Sequence, residues 1–66
     1  MPDNQETMIF EASTKINDPD PVIAIRSALI CTTTKGVYFS GLRNGLRYAI
    51  SILTGEEPKF EDASGN

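Results

Sequence analysis

No regular element can run unbroken through Asp18-Pro19-Asp20-Pro21, because each residue that precedes a proline is pushed out of the α region. The break is also a start signal. Asp20 suits a helix N-cap and Pro21 the first helical position, where its missing N–H removes nothing. In a chain of 66 residues this divides the foldable part into a short piece before the prolines and a longer piece after them.

After the break, Val22, Ile25, Ala28, Leu29 and Thr32 fall on one helical stripe, which predicts a helix over about 21–35 that ends near Lys35-Gly36. The competing reading is a strand, since Val, Ile, Thr and Cys dominate and Thr32-Thr33-Thr34 disfavours a long helix. The helix is preferred. Val37-Tyr38-Phe39 then reads as a short extended connector or strand that brings two aromatics to the core.

A second helix is predicted over about 41–54, with Ser40 as N-cap and Gly55 just past its end. Leu42, Leu46, Ala49, Ile50 and Leu53 form its apolar stripe and the expected core. Along the same helix Gly41, Gly45 and Ala49 repeat every four residues. A glycine inside a helix costs roughly 1 kcal/mol against alanine, so this small-residue stripe points to close packing, either within the monomer or at a homodimer seam. Asn44-Gly45 is also a turn dipeptide, and a helix break there is the alternative.

Thr7 to Ile16 fits both periods. Met8, Phe10 and Ala12 alternate as in a strand, while Ile9, Ala12, Ser13 and Ile16 fit a helix, and the strand is slightly preferred. The expected architecture is therefore a small, mostly α fold, with α+β as the variant: two packed helices, a short N-terminal strand or helix, and disordered termini. Residues 1–6 read as a flexible acidic N-terminus, 7–55 as one small domain, and 56–66 as a mobile acidic tail with Phe60 as its only anchor.

Charge follows this division. Residues 1–20 hold five acidic side chains against Lys15, a formal −4, and residues 56–66 hold four against Lys59, a formal −3. Between them Arg26, Lys35, Arg43 and Arg47 stand without a single acid, a formal +4. A basic centre between acidic arms bears on partners and solubility, not on the fold.

The residue inventory excludes most chemistry. With no histidine and one cysteine, there is no Ser-His-Asp or Cys-His arrangement, no internal disulfide, and none of the commonest transition-metal ligand. Cys31, in an apolar run, reads as a small buried hydrophobe. The pairs Asp18/Asp20 and Glu56/Glu57 sit in wet turns and tails, and 32–36 lacks the order of a phosphate loop. No enzyme activity, metal or cofactor is expected. A single core of this size supplies about 3 to 5 kcal/mol at best, and oligomerisation is the stabilising device still open.

The polar, acidic N-terminus is unlike a secretory signal, and the longest apolar run is far short of a membrane span. The lone thiol suits a reducing compartment, so a cytoplasmic protein without membrane contact is expected. Arg43, Asn44 and Arg47 share one side of the second helix, as the candidate partner-binding face. Two readings follow. One is a small non-catalytic regulatory protein that binds a protein partner and can form a homodimer. In general type it resembles the accessory proteins encoded by phages and other mobile elements, which bind and redirect host machinery. The other, less favoured, is a helix-turn-helix-like DNA-binding regulator that reads the major groove with helix 41–54. Four phosphates neutralised by the central cations would give a salt slope of only about −3.6, and the acidic arms would repel a duplex. The arms could instead fold over the basic helix, or the arginines could pair with Glu6, Glu11, Glu56 or Glu57.

Overall fold

The computed structural model of the chain describes residues 4–62, so the readings of the first three and last four residues lie outside it. The described residues form three helices, α1 (Asn4–Ser13), α2 (Pro21–Cys31) and α3 (Val37–Thr54), and no strand. The mostly α expectation holds, and the N-terminal strand does not. Gln5, Glu6, Met8, Glu11 and Ala12 favour a helix, and α1 begins in the segment read as a flexible arm. Its last carbonyls are met by hydroxyls, from Ser13 to Phe10 at 2.6 Å and from Thr14 to Glu11 at 2.7 Å.

The proline break behaves as read. The Asp20 carboxylate accepts the Val22 N–H at 2.9 Å, with Pro21 in the first turn, and Asp18 accepts the Asp20 N–H at 2.9 Å. α2 ends at Cys31, four residues before the expected position. Thr32, the first of three β-branched threonines, turns its N–H to Leu29 and its hydroxyl to Ala28, which closes the helix.

α3 starts earlier than expected. Gly36 stands at its N-terminus with φ 123°, a conformation that only glycine adopts without strain, and its carbonyl accepts the Ser40 N–H at 2.9 Å. Val37-Tyr38-Phe39 is thus the first turn of a helix rather than an extended connector, and Ser40 lies inside it. Tyr38 is 73% exposed, so only Phe39 of the two aromatics turns inward. The helix runs through Asn44-Gly45 without a break and closes on Gly55 in the left-handed region at φ 75°, as its place after Leu53-Thr54 implied.

α2 lies in the middle, in contact with α1 on one side and α3 on the other, and α1 does not reach α3. With α1 and α3 on opposite sides of α2, the helices lie side by side in one layer. One layer of helices cannot enclose a core. Among the described apolar residues only Ala12 and Ile50 are buried, and twelve large ones are exposed. The link between α1 and α2 includes the Cys31 thiol, 3.8 Å from the Ile9 carbonyl, and Cys31 is half-buried. None of the described helices is long and apolar enough to cross a membrane.

Candidate partner-binding surfaces on the third helix

At 100° per residue, α3 sorts its side chains in an unusual way. All of its exposed positions are Val37, Tyr38, Gly41, Leu42, Gly45, Tyr48, Ile52 and Leu53, and none is charged. Its charged and amide side chains, Arg43, Asn44 and Arg47, are half-buried, while Ser40 is 1% exposed. The helix is apolar outward, and its polar side chains lie inward beside Phe39, Leu46 and Ile50. The expected core stripe is accordingly split: Ile50 is buried, Leu46 and Ala49 are half-buried, and Leu42 and Leu53 are exposed. The physical cause is the docking of α2 and of the C-terminal segment on the side of α3 that carries Ser40, Arg43, Arg47 and Ile50, which turns the other side out.

Gly41 and Gly45 sit in the middle of the outward face. A Cβ built on either would meet nothing within 4 Å. No intramolecular close approach accounts for the stripe they form with Ala49.

On the inward side the three residues singled out from the sequence do converge, and they converge on Glu61. Arg43 reaches both carboxylate oxygens, with Nη2 donating to Oε1 at 2.7 Å and Nε to Oε2 at 2.9 Å. Arg47 Nη1 donates to Oε2 at 2.6 Å. Asn44 takes the main chain, donating Nδ2 to the Glu61 carbonyl at 3.0 Å and accepting the Glu61 N–H on Oδ1 at 2.9 Å. The same Oδ1 accepts from Arg47 Nη1 at 3.0 Å, so the three side chains form one network.

Arg43 is also held from behind. Its Nη1 donates to the carbonyls of Thr32 at 3.1 Å and Thr34 at 2.7 Å, groups freed where α2 ends. The Arg43 hydrogen bonds, followed by that from Arg47, hold the Glu61 carboxyl well below the ordinary carboxylate range, at about 2, against an opposing contribution from burial. The same pairing raises the Arg43 guanidinium above its ordinary value.

The tail as far as Asp62 is therefore a docked strap and not a mobile arm, and its anchor is Glu61, since Phe60 is 56% exposed. The sequence reading missed Glu61 and named other acids as partners. Only the basic excess of residues 21–55 indicated that some acid would fold back, and nothing distinguished which. Beside the strap, a cleft of about 300 Å³ opens between Arg26, Leu29, Arg47 and Ile50 on the helices and Glu57-Pro58-Lys59 on the tail.

Among the described residues no group of three or more histidine, cysteine or acidic side chains is placed to hold a metal ion. Compared with protein-family models, with curated proteins and with solved structures, the chain matches none.

Proposed function

We propose that this is a non-catalytic interaction protein that binds a protein partner on the outward face of α3, and that a second copy of the chain is the occupant of that face. The observation that carries the reading is the absence of any charged side chain among the exposed positions of an 18-residue helix. An exposed helix face of this composition stabilises nothing while it is wet, and its burial is the dominant favourable effect available to it. The six large side chains there offer roughly 600 Å² per copy, or about 1,200 Å² for a pair, which reaches the lower end of specific interfaces. The face has no charge to oppose self-association, and Gly41, Gly45 and Ala49 leave a shallow groove along its centre into which a second helix fits. A regulatory role of the accessory-protein type is compatible with this arrangement.

DNA binding by α3 has less support. Arg43 and Arg47 both hold Glu61, so phosphate contacts would first have to break that pairing.

Sedimentation equilibrium between about 1 and 200 µM, on the wild type and on Ile52→Glu, tests the proposal. Ile52 is 66% exposed, so the substitution leaves the monomer intact. A dimer that Ile52→Glu dissociates supports the reading. A wild-type monomer throughout the range would overturn self-association.

A further inference from the structure

We infer that Arg43, Asn44 and Arg47 form a receptor for an internal glutamate in an extended acidic segment of a protein partner, and that Glu61 fills it in the free chain as a tethered occupant. The inference rests on the interaction-protein reading, but on the inward side of α3 and not on its outward face.

The contact has the form of peptide recognition. Two arginines read the carboxylate, and Asn44 pairs with the N–H and the C=O of the same residue. That double main-chain pairing selects an extended segment that offers an N–H and a C=O at the glutamate itself, much as strand addition uses main-chain groups for affinity and side chains for specificity. The distance from main chain to carboxylate is that of glutamate, and aspartate is one methylene short.

One arm of the receptor is held by groups other than Glu61. Arg43 is fixed by the Thr32 and Thr34 carbonyls, which leaves Nε and Nη2 directed at the carboxylate. Preorganisation of this kind reduces the ordering cost of binding, and a two-pronged arginine–carboxylate pair is among the strongest of polar contacts.

The occupant is held locally. Glu56, Glu57, Lys59 and Phe60 are all exposed, and the Glu56 N–H donates to the Thr54 hydroxyl at 3.2 Å, next to the helix end. Six residues, 55–60, link the helix to Glu61, so release needs no change in the three helices. A short tether gives the tail an effective concentration on the order of millimolar, and a partner's segment competes against that.

The test uses the full chain and a fluorophore-labelled peptide of residues Glu56 to Asp62, blocked at both ends. Anisotropy titrations are run against the wild type and against Glu61→Ala, whose own tail no longer fills the receptor. The expected result is binding at least ~10-fold tighter to Glu61→Ala than to the wild type, and at least ~10-fold weaker for a peptide carrying Glu61→Gln. Equal affinity for the two proteins, equal affinity of the two peptides, or no binding to a folded Glu61→Ala would overturn the inference. If circular dichroism shows that Glu61→Ala has unfolded, the unlabelled peptide is titrated to about 2 mM into ¹⁵N-labelled wild type. Displacement then shifts the main-chain amide of the chain's own Glu61, which loses its bond to Asn44, and an unmoved resonance overturns the inference. Neither outcome bears on self-association through the outward face, which is read by sedimentation.

Discussion

Asn44 and Glu61 are joined twice, side-chain amide to main-chain amide, with Nδ2 to the Glu61 carbonyl at 3.0 Å and the Glu61 N–H to Oδ1 at 2.9 Å. This pairing sets where the tail crosses α3, and the arginines can then meet the carboxylate. Asn44→Asp removes the donor and places a second carboxylate beside Glu61, so the tail should detach while the helices stay formed. Amide exchange at Glu61 should accelerate on the order of tenfold, in line with the loss of one part-buried hydrogen bond and a new like-charge contact. An unchanged exchange rate would show that the arginines alone set the crossing.

Acid should release the tail. The Glu61 carboxyl titrates at about 2 in the folded chain, against 4.5 ordinarily, because of its hydrogen bonds to Arg43 and then Arg47. A folded-state value below the unfolded one means that the linked stability is complete above about pH 4.5 and is lost as pH falls from there through about 2. An NMR titration should show Arg43 Nε–H and the Asn44 amide losing their bonded shifts over that window. Glu61→Gln should flatten the titration, and a transition that persists in Glu61→Gln would assign it to another carboxylate.

The helices were largely legible in the sequence and their orientation was not. Asp20, Pro21 and Gly55 act through their own backbone geometry, so local chemistry fixed the start of α2 and the end of α3. Residues whose state depends on distant partners were misread. Met8, Phe10 and Ala12 alternate like a strand, yet α1 is a helix that buries Ala12. Leu42 and Leu53 share an apolar stripe with Ile50, but a stripe does not say how much of a helix's side is covered, and in α3 the covered side also takes in Ser40, Arg43, Asn44 and Arg47. Arg43, Asn44 and Arg47, spaced by one and four residues, do lie on one side of α3, where they share Glu61. Glu61 was out of reach because pairing across 14 to 18 residues leaves no periodic trace.

Gly45 offers a substitution with opposite effects on two equilibria. In the monomer its added methyl would meet nothing within 4 Å, so Gly45→Ala should stabilise α3 by about 0.5 to 1 kcal/mol through reduced backbone freedom in the unfolded chain. On the outward face the same methyl narrows the groove between packed helices. Thermal unfolding at about 1 µM should therefore shift upward by several degrees, as expected for a domain of this size, while sedimentation at higher concentration shows weaker self-association. A variant whose dimer is as strong as the wild type would mean that the small stripe is not the seam.

Ser40 tests how tightly α3 is held on its inward side. It is the most buried side chain among the described residues, at 1% exposure, and its hydroxyl bonds the Glu61 carboxylate besides taking a long contact of 3.4 Å from Arg43 Nη2. The site thus holds a side chain that is both small and polar. Ser40→Ala should cost about 1 kcal/mol, since the bond to the Glu61 carboxylate is lost and no large cavity opens. Ser40→Leu adds three carbons where there is no room and should cost about 1 to 3 kcal/mol, with movement of Arg43 from its place beneath Glu61. Urea denaturation of both variants decides the matter. Equal losses would make the hydroxyl the important group, whereas a stable Ser40→Leu would show that α2 and α3 part easily at this point and that the clamp on Glu61, not helix packing, holds the inward face together.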